Sequence, residues 1–318
     1  MTLAVTFTSW LLALHLLSAF ALVSSLVVFW YLIVAFRNVD TPEATVAMAP
    51  VAGLATKVVR AGTAGTLVFG VWLAIRLDHV QVWSGWVIAA IVLLIIAAVA
   101  GSRSGAEYER AMKKAEELEA AGQTGPNTEL LALNRTSRGL WLHVITTLAV
   151  FLALVDMIWK PGASDLPPPS SWNVPLLVHV AGAMILVGGV LAAVAALVSA
   201  HGDERRLRLG YYSLLFVAFP GLILTKMGAT AIWSKYSGHS FFRSAFPAKD
   251  DPHWIQIGGT ALDMGGGALV LALILGWFGL KRLDTKRGQQ MMKLVMIISI
   301  GLLAAYVLAI WAMGTRPT

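Results

Sequence analysis

"LHLLSAFALVSS" at residues 14–25 and "VHVAGAMILVGG" at residues 178–189 are two versions of one phrase. Laid over each other at His15 and His179, they match Ser18 with Gly182, Ala19 with Ala183, Leu22 with Leu186, Val23 with Val187, and Ser24-Ser25 with Gly188-Gly189. In both, the positions i, i+3, i+7 and i+10 lie on one helical face. That face reads His15, Ser18, Leu22, Ser25 in the first copy and His179, Gly182, Leu186, Gly189 in the second. The remaining faces are apolar, so these helices have no side that suits water.

The whole chain follows suit. Of its 318 residues, 58% are hydrophobic and 13% charged, against roughly 25% charged in a soluble domain. Such a chain cannot cover a water-facing surface and reads as an integral membrane protein. The net charge of +7 fits the Lys and Arg that collect in cytoplasmic loops, and no nucleic-acid partner is expected from it. With no cysteine, disulfides, iron–sulfur clusters and thiolate metal sites are excluded. "MTLAVTFTSW" carries no basic side chain and the following apolar run is long, so the first span is expected to be a retained helix rather than a cleaved signal.

A helix needs about 20 apolar residues to cross the hydrocarbon core. Eight stretches qualify: 10–36, 58–77, 80–101, 139–159, 174–200, 210–234, 254–280 and 292–313. Of the 24 Lys and Arg, 17 fall with the loops after the odd-numbered spans and seven on the other side. The positive-inside rule then puts both termini outside a cell inner (cytoplasmic) membrane. "SGAEYERAMKKAEELEAAG" (104–122) is charged on most faces and reads as a solvated extension of the third span. "DLPPPSSW" (165–172) stiffens a linker over 163–173.

The repeat extends beyond the histidines. "FGVWLAIR" (69–76) lies over "MGATAIWS" (227–234), and "DMIWKPG" (156–162) falls near "LAIWAMG" (308–314). The expected fold is therefore all-α and polytopic. Residues 1–162 and 174–318 form two four-helix bundles, and the even number of spans in each makes them parallel copies about a pseudo-twofold along the membrane normal. The first half resembles the domain of unknown function 2269 family of bacterial membrane proteins. It shares the Leu14-His15 opening, Gly70 and Trp72 in the second span, and "VDMIWKPG" (155–162) at the last; the second half lacks Lys-Pro-Gly at its end. That resemblance implies architecture and no activity. A looser likeness to copper-resistance permeases and the membrane protoporphyrinogen oxidase family, which carry a first-helix histidine, implies haem or copper by analogy.

A histidine inside a span is costly and needs a partner. Two uses fit the stripe. One is close helix packing, with the imidazole bonded to a carbonyl or hydroxyl. The other is a planar macrocycle lying on the small residues Ser18, Ser25, Gly182 and Gly189, with His15 and His179 as axial ligands of a haem b or another metal. Parallel duplication puts both rings at one level, about 8 Å inside the membrane, facing each other across the twofold or serving separate sites. His143, on a span running the other way, falls near the cytoplasmic end, roughly 20 Å or more from His15, too far to share an iron; it reads as an interfacial or hydrogen-bonded residue, or as a ligand of a second, inner cofactor.

Lys226 and Asp263 come out at similar depths on neighbouring antiparallel spans of the second half and are expected to pair, as a structural ion pair, a proton or ion relay, or an anchor for a cofactor carboxylate. Val68 falls at the position of Lys226 in the first half, and Pro220-Gly221 permits a kink nearby. Gly258, Gly259, Gly265, Gly266 and Gly267 lack the strand and Lys-Ser/Thr context of a phosphate loop and read as packing positions. The loop 235–254, with His239, Asp250, Asp251 and His253, reads as a lid or docking surface.

No hydrolase triad, zinc-protease helix or nucleotide loop is present. The leading expectation is a haem- or metal-binding membrane subunit handling electrons, with Lys226 and Asp263 as a polar gate. The alternatives are a non-catalytic assembly subunit bound to membrane-protein partners, and a small-solute or ion transporter.

Overall fold

Polar side chains cap the helices. Thr6, Asn127, Thr136 and Thr285 each accept a bond from the backbone N–H three residues on, and Asp203 accepts from Arg205 and Arg206. These bonds satisfy donors that a helix start leaves open. In the computed structural model, which describes residues 6–77, 80–163, 169–238, 240–241 and 251–316, the result is α1 (Phe7–Phe36), α2 (Pro42–Val46), α3 (Ala49–Arg76), α4 (Gly85–Ala120), α5 (Thr128–Asn134), α6 (Ser137–Trp159), α7 (Asn173–Val198), α8 (Glu204–Ser213), α9 (Phe219–Ser237), α10 (His253–Leu280) and α11 (Lys286–Thr315). His239, Asp250, residues 164–168 of the linker and 242–250 of the long loop lie outside the described residues.

Eight helical segments among the described residues are long and apolar enough to span a bilayer, so the chain is an all-α, multi-pass membrane protein. The second span begins earlier than its apolar run suggests: α3 starts at Ala49 and takes in Lys57 and Arg60, both exposed. The sixth is a rod of α8, a π-helical turn at Leu214–Ala218, and α9. Pro220 has no N–H to give the carbonyl four residues back and its ring crowds that carbonyl; the wider π turn just before it absorbs the misfit. The kink expected at Pro220-Gly221 takes this form.

The helices pack as four hairpins, α1 with α3, α4 with α6, α7 with α9, and α10 with α11, so the second half repeats the pairing of the first. Parallel helices α1 and α7 cross at the centre. Ser24 Oγ donates to the Met184 carbonyl at 3.1 Å, and Gly188 packs on Val27 and the Ser24 carbonyl. Ser24 and Gly188 are the matched residues of the opening phrase, so the crossing lies on the pseudo-twofold. The two halves share apolar clusters: Phe20 joins the core of the second half, and Leu191, Ala192, Ala195 and Ala196 of α7 join one built on α1 and α3. Symmetry is broken at α11, which packs on both α1 and α7, whereas α6 touches each lightly. Gly314 meets Ala13, and Trp10 lies 5.8 Å from Trp311, so both termini of the bundle share one face. The opposite, basic face carries the α4 extension.

That extension is charged on fewer sides than its composition suggests. Ala111, Ala115 and Leu118 form a buried stripe, and Leu130 of α5 and Val46 of α2 cover its last two positions. Asn134 ties the cap together, its amide donating to the Val39 carbonyl at 3.0 Å and to Thr45 at 3.2 Å. Because Leu130 is fully buried there, Leu130→Ala should cost about 2–5 kcal/mol of local docking energy. Limited proteolysis should then cut the 121–127 connection faster, with the spans unchanged by circular dichroism.

Candidate functional site

In each half, a glycine on the second span brings its backbone against the first. A Cβ on Gly62 would stand 2.9 Å from the Ser18 carbonyl oxygen, and one on Gly221 would stand 3.0 Å from that of Gly182. Four residues on, Thr66 and Thr225 turn their hydroxyls back to the Gly62 and Gly221 carbonyls at 2.7 and 2.6 Å. The carbonyls of the same threonines take the histidines: His15 Nδ1 lies 3.1 Å from the Thr66 oxygen, and His179 Nδ1 lies 3.0 Å from the Thr225 oxygen. A carbonyl only accepts, so each Nδ1 donates a proton and each neutral ring keeps its lone pair on Nε2.

These contacts set the internal alignment. The first spans superpose with a shift of 164 residues (Leu22 onto Leu186) and the second spans with a shift of 159 (Gly62 onto Gly221). The sequence register for the second spans, which laid Gly70 over Gly228, is off by one. Those two glycines do different jobs. A Cβ on Gly70 would meet the His15 ring, 3.0 Å from Nδ1, whereas one on Gly228 would meet the His179 backbone, 2.6 Å from Cα. Leu67, and not Val68, therefore stands where the second half has Lys226.

The stripe of small residues is covered by protein. Ser18 faces Gly62 and Gly65, Gly182 packs on Leu224 and Thr225, and Gly189 packs on Ala218 of the π turn. Ser25 is fully buried, its hydroxyl donating to the Ala21 carbonyl at 2.8 Å. The neighbouring helix thus occupies the trough in which a planar macrocycle would lie. Haem laid flat on Ser18, Ser25, Gly182 and Gly189 does not fit this arrangement; what remains of the ligand set is the two Nε2 lone pairs. The rings do not meet across the twofold, because each turns to the second span of its own half. Their levels agree: each histidine lies nine residues before the Ser24–Gly188 contact, about 14 Å along its helix.

His143 is buried and hydrogen-bonded to the Leu26 backbone. Its ring packs 4.8 Å from that of Trp30, and its Nε2 has no hydrogen-bond partner. Trp30 lies fifteen residues beyond His15 on α1, about 22 Å along the axis, so these two histidines share no site. Among the described residues, no group of three or more His, Asp or Glu is placed to hold a metal ion.

Lys226 and Asp263 do meet. The Nζ donates to Oδ1, with both side chains about a quarter exposed, at 29% and 24%. They reach across α9 and α10, which touch little along α9; α10 packs also on α8 and the π turn, where Gly276 meets the Tyr211 ring, while α3 and α4 touch less than this in the first half. Beside the pair, Gly266 meets Leu222, and Gly265 receives the ring of Tyr306 from α11. The Tyr306 hydroxyl is buried without a hydrogen-bond partner. Gly258 meets Met313, while Gly267 faces open space. Asp251 and His253 lie at the entry to α10.

Thr66, Thr225, Gly62 and Tyr306 escaped the reading of the sequence, and Gly221 was read there only as permitting a kink. The recurrence of Gly-x-x-x-Thr at 62–66 and 221–225 was the available signal. No protein-family model matches the chain, and neither a curated protein nor a solved structure matches it. The resemblance of the first half to the domain of unknown function 2269 family therefore stands on its quoted motifs alone.

Overpacking a tight helix contact costs about 1–3 kcal/mol. Gly62→Ala and Gly221→Ala should each lower the melting temperature in detergent, and by similar amounts, because they meet matched backbone. Gly301→Ala, at a glycine with nothing within 4 Å, should not.

Proposed function

We propose that this chain moves protons or small cations across an inner membrane, with both termini outside, and that Lys226 and Asp263 are its charge-handling pair. One observation carries this reading. The duplicated scaffold is its own control: α3 and α4 touch less than the α8–α9 rod and α10 do, yet stand side by side with Leu67 in the place of Lys226. The pair is therefore not needed to hold its helices, yet it brings two charges into a span, each costing about 2.5–3.5 kcal/mol on insertion scales. Protonating Asp263, or placing a cation beside it, weakens its hold on the ammonium. The rod has its π turn and Pro220 nearby, and its α9 part packs little on α10, so α9 can change its angle as the pair opens.

Removing one partner strands the other charge, at about 3 kcal/mol. The paired variant Lys226→Gln/Asp263→Asn is thus the informative one. In proteoliposomes under an imposed potential, wild-type protein should pass protons, sodium or potassium, and the paired variant should not while melting like wild type. Flux unchanged by the substitutions, or none of the three ions passing in wild type, overturns the proposal.

A second reading, a haem- or metal-binding subunit in membrane redox chemistry with membrane-protein partners, is favoured by one feature. Both histidines hold the tautomer that leaves Nε2 able to ligate, with a carbonyl fixing the other nitrogen as in known metal sites. Ligation there predicts a Soret band, or bound copper, that disappears in His15→Ala/His179→Ala. A colourless, metal-free preparation removes this reading and leaves the transport proposal untouched.

A further inference from the structure

On the basic face, a groove of about 430 Å³ runs between the last turns of α1 and the start of the α8–α9 rod. Tyr31 pins its floor, the phenol donating to the Leu209 carbonyl at 2.6 Å. Arg206 fixes its upper edge, bonding the Ala47 carbonyl at 3.0 Å and the Ser199 carbonyl at 2.7 Å. Down one wall run Arg208, Tyr212 and Phe216, spaced four residues apart and so stacked on one side of the rod. Tyr212 and Phe216 lie with ring centroids 5.8 Å apart. Val34 on the facing wall and Phe216 are 65% and 66% exposed.

This sequence of groups, cation then amphipathic ring then apolar surface, runs in the direction of a phospholipid from headgroup to acyl chain. The arginines lie where the apolar spans end, at the level of the headgroups. Three arginines line the groove, and no carboxylate lines it among the described residues. Arg205 and Arg208 do have acidic neighbours, Glu43 at 3.4 Å and Glu204 at 2.7 Å. Both acids point to water, at 65% and 57% exposed, and such surface pairs are worth about 0–1 kcal/mol. A phosphate diester offers a charge-assisted bond to either guanidinium.

We propose that this groove is a specific site for one anionic phospholipid, its phosphate on Arg205 and Arg208 and an acyl chain along Tyr212, Phe216 and Val34. The site is independent of the Lys226–Asp263 pair and of the histidines.

The test is native mass spectrometry of the full chain, with phosphatidylglycerol or phosphatidylcholine of matched acyl chains added to the micelles. Wild type should keep a single phosphatidylglycerol in preference to phosphatidylcholine. Each interfacial arginine is worth about 1 kcal/mol toward an anionic headgroup, or roughly fivefold in affinity. Arg205→Gln and Arg208→Gln should therefore each lower the preference about fivefold. Arg282→Gln, on the same face but off the groove, should leave it intact. No preference in wild type overturns the proposal, as does an equal loss in Arg282→Gln. Displacement of the bound lipid by millimolar glycerol phosphate also overturns it, because the site would then take a soluble phosphate. Arg208 bonds only exposed or rim groups, so its variant is expected to fold, and an unshifted melting temperature checks this.

Discussion

Contact between a glycine backbone and the backbone of a neighbouring helix, made in each half, is what the rest of this structure depends on. Lipid is as apolar as leucine, so spans gain little from hiding hydrophobic surface and must be held by close approach and by bonds between helices. Gly62 of α3 against α1, and Gly221 of α9 against α7, supply the close approach. Once the backbones are that near, the carbonyls of Thr66 and Thr225 come within reach of His15 and His179. The histidine is then a second clasp on a hairpin closed by glycine, and its tautomer follows from the fold.

Duplication explains why the same clasp appears twice and why α1 and α7 meet on the axis at Ser24 and Gly188. Departures from symmetry carry more information about function than the symmetry does. Leu67 and Lys226 occupy one place in two copies of a single hairpin, yet the copies pack alike. A charge that the scaffold can do without, in a medium that penalises it, points to use rather than to support. The groove beside Arg208 lies between the copies, where the end of α1 meets α8.

Legibility differed from residue to residue for physical reasons. The spans were legible because apolar length is set by bilayer thickness, and the Lys226–Asp263 pair because antiparallel neighbours at equal depth leave charges little choice. The register of the second spans was misread by one residue because glycines look alike in sequence while Gly70 makes room for a side chain and Gly228 for a backbone. The α4 extension hid its alanine stripe because alanine is weakly apolar, and its burial depends on α2 and α5 arriving from elsewhere in the chain. Tyr306 gave no sign at all, since nothing local distinguishes a phenol in a packed glycine notch from one at a membrane interface.

Periodicity states which residues share a face of a helix, and that much of the histidine stripe belonged to the sequence, along with the spans, their doubling and the parallel sense of the halves. It is silent on what covers the face. A bed of small side chains suits a flat cofactor and a neighbouring helix equally, because both need only the absence of bulk. Tertiary structure chose the helix: the neighbouring helix's glycine lies within a few residues of the histidine's reach, and protein backbone, once there, leaves no room for a ring system lying flat on those small residues.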